Sequence, residues 1–239
     1  TSIVQEMRTP MTSILDYVEL LRGQSSGVLS ESQYNFVQRI AASVMRLETM
    51  LNDMMNLTVL DTKNYPLDLT LTDVVATLEI AITRASQQFR EKDLRVRLEL
   101  NDNLPQIYVD QRGLSQVVGQ LLTNAYLASA SGGSVSIRAD RQQIIIDDEP
   151  RDVIHVAIGD SGGGIAPDEL SEVFAPRYRP GHNVVAGLGD TGIGLPVAKA
   201  LIEAHGGRMW AETEPEVGTS FQFVLPMNMH AQAEPPYAT

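Results

Sequence analysis

Two runs of apolar residues at helical period, separated by a short polar stretch, do most to limit what this chain can fold into. Met7, Met11, Ile14, Val18 and Leu21 alternate four and three apart, and Val37, Ile40, Val44, Leu47, Leu51 and Met54 repeat the pattern. That spacing lines one stripe of a helix. Between the runs, "RGQSSGVLSES" holds two glycines and four serines, which reads as a loop, with Ser30 placed to cap the second helix and Gln33 to complete a capping box. Residues 1–62 are therefore expected to form a helical hairpin. Leu15, Leu20, Phe36 and Met50 widen the stripe beyond what two helices can bury against each other. A four-helix bundle made by two chains satisfies it; the competing account packs the stripe on the remainder of the same chain.

Beyond the hairpin the pattern changes. "LDTKNYPLDLTLTD" (60–73) has the composition of a linker, here bounded at 63–72, and helix and strand patterns then interleave over 73–227. Helices are predicted in "VVATLEIAITRASQQFREK", "RGLSQVVGQLLTNAYLAS" and "PVAKALIEAHGG". Strands are predicted in "LRVRLEL", "SVSIRAD", "VIHVAIGD", "RMWAE" and "SFQFVLP". The expected architecture is an α/β two-layer sandwich, one sheet covered by helices. The tail at 228–239 has little to bury and is expected to be disordered.

Charge narrows the function. Eighteen Lys and Arg against 30 Asp and Glu give a formal net charge of −12, which opposes an extended nucleic-acid backbone. A small anion such as a nucleotide remains admissible, because a cation and backbone N–H groups screen phosphate locally. The absence of cysteine removes disulfide, thiolate-zinc and thiol chemistry and fits a reducing, cytoplasmic setting. No apolar run approaches the ~18 residues of a membrane span, so any membrane attachment would lie in segments upstream.

Several short motifs bear on chemistry. "GLGDTG" (187–192) matches the dinucleotide fingerprint G-x-G-x-x-G, but the loop-like "PRYRPGHNVVA" precedes it where that fingerprint needs a strand. Read further, "TGIGLPVAKALIEAHGG" is a glycine turn opening a helix, with Pro196 near its first turn, an arrangement that presents N–H groups to an anion. "DSGGGI" (160–165) places an acidic side chain at a strand end, followed by permissive backbone. Each glycine cluster is equally explained as an ordinary turn. Asn124 sits on a helix with Gln120 one turn earlier on the same face; its carbonyl oxygen is a hard donor suited to Mg²⁺, whereas a helical Asn more often is only solvated.

Taken in order, Q-E-M-R-T-P-M-T, N-A-Y, D-S-G-G-G-I, V-F and G-D-T-G-I-G-L make the chain resemble the catalytic region of a sensor histidine kinase over residues 1 to about 226. Its second half resembles the Bergerat-fold ATPases shared with gyrase and certain chaperones. The resemblance implies ATP and Mg²⁺ as cofactors, a homodimer through the hairpin and a response regulator receiver domain as partner. It implies that Asn124 binds Mg²⁺, with Gln120 where another Asn is more usual, and that Asp160 accepts a hydrogen bond from the adenine amino group. Gly162 and Gly164 would lie beside the base. Phe174 would precede a mobile lid from which Arg177 or Arg179 reaches phosphate, and Thr191, Gly192, Gly194 and Leu195 would form the phosphate-facing turn.

The resemblance fails at one position. The phosphoacceptor histidine of the family should stand at position 5, which is Gln5, and an amide nitrogen is delocalised and not nucleophilic. Glu6 matches the acidic neighbour that accepts the histidine's proton, and Thr9 the residue that orients water for dephosphorylating a response regulator. Pro10 matches a proline that bends the helix; alternatively Thr9 caps a helix that begins at Pro10. The expectation is a histidine kinase core, cytoplasmic or the cytoplasmic part of a membrane-anchored sensor, that binds ATP without autophosphorylating. Gln5 is either engineered, in an otherwise ordinary kinase, or natural, which would make the chain a pseudokinase, a nucleotide-gated binding module; a separate reading is a module that holds a response regulator on the hairpin and dephosphorylates it through Thr9. An independent ATPase is disfavoured, since Gln120 lacks the carboxylate such enzymes use to activate water.

Overall fold

The structure is a computed structural model and describes residues 10–14, 16–18, 20–21, 30, 32–34, 36–37, 39–40, 43–44, 66–101, 103–146, 149–175 and 192–227. In the N-terminal region the described residues of 10–21 and of 32–44 are helical. The capping box forms as its residues predict: Ser30 N–H donates to Gln33 Oε1 at 2.9 Å, and Gln33 N–H donates to Ser30 Oγ at 3.3 Å. Two N–H groups at a helix start are thereby satisfied reciprocally. Met11, Val18, Val37 and Val44 are buried, and Val18 packs with Val37. Ile14, Leu21 and Ile40, members of the same stripe, remain 41%, 47% and 49% exposed, and Phe36 and Leu20 more so. Met7, Leu15, Leu47, Met50, Leu51 and Met54 lie outside the described residues, as do residues 22–29 of the expected loop and 228–239 of the expected tail.

The second region builds a mixed five-stranded sheet from β2 (Arg95–Leu100), β4 (Ser134–Ile146), β5 (Glu149–Asp160), β7 (Gly218–Pro226) and β6 (Arg208–Glu214), in that spatial order. Only β2 and β4 pair in parallel. Helices α1 (Val74–Glu91), α2 (Gln111–Ala128) and α3 (Gly194–Ala204) share one apolar core with it. Alternation explains the layering. Val135, Ile137 and Ala139 of β4, Ile154, Val156 and Ile158 of β5 and Phe221, Phe223 and Leu225 of β7 point into the core at period two. Leu114, Val117, Val118, Leu121, Leu122 and Ala125 meet them from one stripe of α2.

Three features depart from the sequence-based expectation. Residues inside the stretch read as a linker form β1 (Leu69–Thr72), which pairs antiparallel with β3 (Ile107–Asp110), a strand the sequence reading did not include. Both strands are only four residues long, too short for alternation to separate them from loop. The β4–β5 hairpin is also longer than "SVSIRAD" and "VIHVAIGD". Beyond Ala139 it has no β2 partner, and before Val153 it has no β7 partner, and "RQQIII" sets polar and apolar residues in blocks instead of alternating them as a half-buried strand does. Lastly, α3 begins at Gly194, which places Pro196 at its third position.

Two buried histidines are structural braces. His205, the C-cap of α3, donates from Nδ1 to Leu201 O at 2.7 Å, which leaves Nε2 to accept the Asp110 N–H at 2.9 Å. Asp110 caps α2 by accepting from the N–H groups of Arg112 and Gly113, both at 2.9 Å, and its other oxygen accepts from Asp68 N–H. The end of α3 is thus tied to the start of α2 and to the entry of β1. Burial pushes the His205 imidazole below its ordinary value, only partly offset by its bond to Leu201 and by the Asp110 carboxylate. On the opposite face of the sheet, His155 lies between Gln222 at 2.8 Å and Asp140 at 2.9 Å and stacks on Trp210.

Candidate functional site

Helix α2 is the spine of the site. Gln120, Asn124 and Ala128 recur every four residues, so they form one stripe rising about 6 Å per step. At one end of the stripe, a Cβ built on Gly194, the first residue of α3, would fall inside the Gln120 side-chain amide. At the other, a Cβ on Gly162 would come within 2.6 Å of Ala128 Cβ and 2.7 Å of its carbonyl oxygen. Asn124, half-buried, stands between the two contacts, and its Oδ1 accepts from Gln120 Nε2 at 3.4 Å. One helix face therefore gathers both glycine segments and the Asn that the sequence singled out, although Gly194 stands 70 residues beyond Asn124 along the chain.

Asp160 ends β5 and is held by two backbone donors. Gly162 N–H reaches its Oδ1 at 2.8 Å and Thr219 N–H reaches the same atom at 3.4 Å. Burial raises its carboxyl above the ordinary Asp value, and these two donors partly oppose the rise. A partly dehydrated carboxylate, oriented through one oxygen, is chemically suited to accept a hydrogen bond from an amino group.

The glycines serve the protein before they serve any ligand. Gly162 allows close approach to the end of α2. Gly164 takes a φ of +81° against β6, where a Cβ would lie 2.6 Å from Glu214 O. The loop is fastened there as well, since Ile165 N–H donates to Thr213 Oγ1 at 2.8 Å. At α3, the N-cap Ile193 makes no side-chain cap hydrogen bond among the described residues, and Pro196 supplies no N–H, so the donors of that turn come from the backbone of residues such as Gly194 and Leu195. Phe174 packs edge-on against Phe221 with ring centroids 6.2 Å apart and lies beneath Lys199 Nζ at 5.1 Å.

Thr219 is the residue the sequence reading missed. The pairing of β5 with β7 brings it beside Asp160, where it is buried and its hydroxyl lies 3.2 Å from that of Thr213. The signal available was the "GTS" that opens the last strand, but nothing local ties it to a carboxylate 59 residues earlier. Gln5, Glu6, Thr9, Arg177, Arg179 and Thr191 lie outside the described residues.

Asn124 offers one half-buried side-chain oxygen, a hard donor of the kind a divalent cation takes. Among the described residues no group of three or more His, Cys, Asp or Glu side chains gathers into a metal cage. A cation here would draw its other positions from phosphates and water, as Mg²⁺ commonly does.

The comparisons with known proteins agree with this geometry. Residues 109–229 match the family described as histidine kinase-, DNA gyrase B- and HSP90-like ATPase, and residues 1–63 match the His Kinase A (phospho-acceptor) domain. The chain is 29% identical over 222 residues to the alginate biosynthesis sensor protein KinB of Pseudomonas aeruginosa, which covers 93% of this chain and 35% of KinB, about a third of that relative's length. Its fold is like that of full-length ShkA solved in complex with AMPPNP, with a TM-score of 0.70 and 24% identity over 94% of this chain and 44% of that one. It is also like histidine kinase ThkA solved in complex with response regulator protein TrrA, with a TM-score of 0.61 and 20% identity over 94% of this chain and 60% of that one. With a phospho-acceptor-type hairpin ahead of an ATPase domain that the match places over half its length, the chain belongs to the histidine kinase-, DNA gyrase B- and HSP90-like ATPase family, as the catalytic core of a two-component sensor histidine kinase.

Proposed function

We propose that this core binds ATP with Mg²⁺ along the α2 stripe and that, with Gln5 in the acceptor position, it does not phosphorylate itself there. The observation that carries the reading is the convergence of Gly194, Asn124 and Gly162 on one face of α2, with Asp160 held just beyond Gly162. Asp160 accepts from the adenine amino group, and the start of α3, with Gly192, Gly194 and Leu195, offers N–H groups to the phosphates. Asn124 holds the cation, whose charge offsets that of the phosphates during transfer. Phe174 anchors the segment that leads to Thr191, with Arg177 and Arg179 as phosphate contacts. Gly162 and Gly164 contribute by fixing the loop's shape.

For the N-terminal region, Glu6 is the group that would take a proton from an acceptor histidine, and Thr9 the group that would orient water against a phosphorylated response regulator. The half-exposed Ile14, Leu21 and Ile40 are the stripe a second hairpin would cover, giving a homodimer that receives a response regulator. The hairpin spans 1–62 in this reading, and the nucleotide domain starts by β1 rather than at residue 73, because Leu69–Thr72 pairs with β3.

The test is radiolabel transfer from γ-labelled ATP to this chain and to Gln5→His, with calorimetric nucleotide titration of both. Labelling in Gln5→His alone, with equal affinity in both, is the expected result. Label on the unaltered chain at position 5 would defeat the inactive reading. Nucleotide affinity left unchanged by both Asp160→Asn and Asn124→Ala would defeat the site assignment.

A further inference from the structure

Gln120 does two things that a shorter side chain cannot. Its carboxamide occupies the space where Gly194 would carry a Cβ, and its Nε2 donates to the oxygen of Asn124. The side chain is half-buried, so the bond forms in a partly dehydrated site. An Asn at this position would be one carbon–carbon bond shorter, about 1.5 Å, and would not span from α2 to the first residue of α3.

We propose that Gln120 is a positioning residue that sets the site's demand for divalent cation: its carboxamide packs on the start of α3 and donates to Asn124 Oδ1, so its N–H draws on the same oxygen that a cation would take and weakens it as a ligand. The proposal rests on the reading of Asn124 as the metal-holding residue. It accounts for the close packing of the amide on Gly194. It also ties α3 to metal binding, because releasing Asn124 frees the same amide that packs on Gly194.

Two experiments on the full chain separate the clamp from the hydrogen bond. The first follows ADP binding by calorimetry across a Mg²⁺ titration. Gln120→Met keeps length and packing but has no N–H, so the Mg²⁺ concentration giving half the full enhancement is expected to fall roughly fivefold, the scale of one lost competing hydrogen bond. An unchanged midpoint overturns the competition. Asn124→Ala is the control for the underlying reading: loss of Mg²⁺ dependence upholds it, and retained dependence defeats it whatever Gln120→Met does.

The second asks whether the amide is held at α3. Gly194→Ala pushes the Gln120 carboxamide, the far end of a flexible side chain, off the start of α3, so it is expected to lower the Mg²⁺ midpoint as Gln120→Met does, with little change in melting temperature. A Mg²⁺ midpoint left at the value of the unaltered chain overturns the clamp.

Discussion

The N-terminal hairpin and the α/β domain answer the same requirement, burial of an apolar face, in different ways. In the α/β domain Leu78, Leu121, Ile137 and Phe223 are buried and touch a core assembled from helices and sheet together. In the hairpin Met11, Val18, Val37 and Val44 are buried while Ile14, Leu21 and Ile40, one helical step away, stay about half exposed. Two helices supply only one contact line, so a stripe wider than that line is left uncovered. The difference teaches that the nucleotide domain is stabilised by its own chain, whereas the hairpin's stability depends on what covers its second line.

The comparison breaks first, and by the largest margin, at Phe223. Phe223→Ala is expected to destabilise the α/β domain by about 3–5 kcal/mol, read by denaturant unfolding, with a midpoint that does not change with protein concentration. A concentration-dependent midpoint for this variant would mean that the domain also leans on a second chain.

A smaller effect is expected at the hairpin. Replacing Leu21 and Ile40 by Ser removes half-buried apolar surface on both protomers and should raise the dimer dissociation constant by at least roughly tenfold, measured by sedimentation equilibrium, with little change in α/β unfolding. Dimerisation unaffected by the pair would place the interface elsewhere.

The smallest effects sharpen the comparison within the α/β domain, through pH. The folded-state value of His205 is depressed, so its contribution to stability is complete above its ordinary value of 6.5 and is lost as pH falls through the depressed value. Acid should therefore loosen the junction of α2, α3 and β1, seen as faster amide exchange at Asp110. Asp160 has the opposite sign. Its raised value means that its contribution is complete below 3.8 and lost as pH rises through the folded value. Asp160→Asn keeps an acceptor for the Gly162 and Thr219 N–H groups and removes the buried charge, so its melting temperature at pH 7 should be equal or slightly higher while nucleotide binding falls. A marked loss of melting temperature would make Asp160 structural instead.

Much of this was legible in the sequence wherever a local pattern carried it. The helices over residues 74–92 and 112–129 were readable from period, and the Ser30–Gln33 box from four residues of composition. Asp160, Asn124 and both glycine segments stood out as candidates. What local pattern could not carry was the reason for each glycine. Gly162 and Gly194 read as ligand-facing, yet each is fitted to a residue of α2, Ala128 and Gln120, from which it is distant in sequence. Thr219 was missed on the same grounds, and the short β1 and β3 because four residues show too little alternation.

By itself, then, the sequence determined the helical hairpin, the alternation of strands and helices, the acidic balance that opposes an extended nucleic-acid backbone, and the amide in place of a nucleophile at Gln5. These follow from period, charge and functional-group chemistry, which neighbouring residues carry unaided. Only the tertiary structure decided that α2 is the spine of the site, that Ala128 dictates a glycine at 162 while Gln120 packs on Gly194, and that Thr219 helps hold Asp160. Those facts depend on the packing of segments far apart in the chain, where a single Cβ decides whether two backbones can meet.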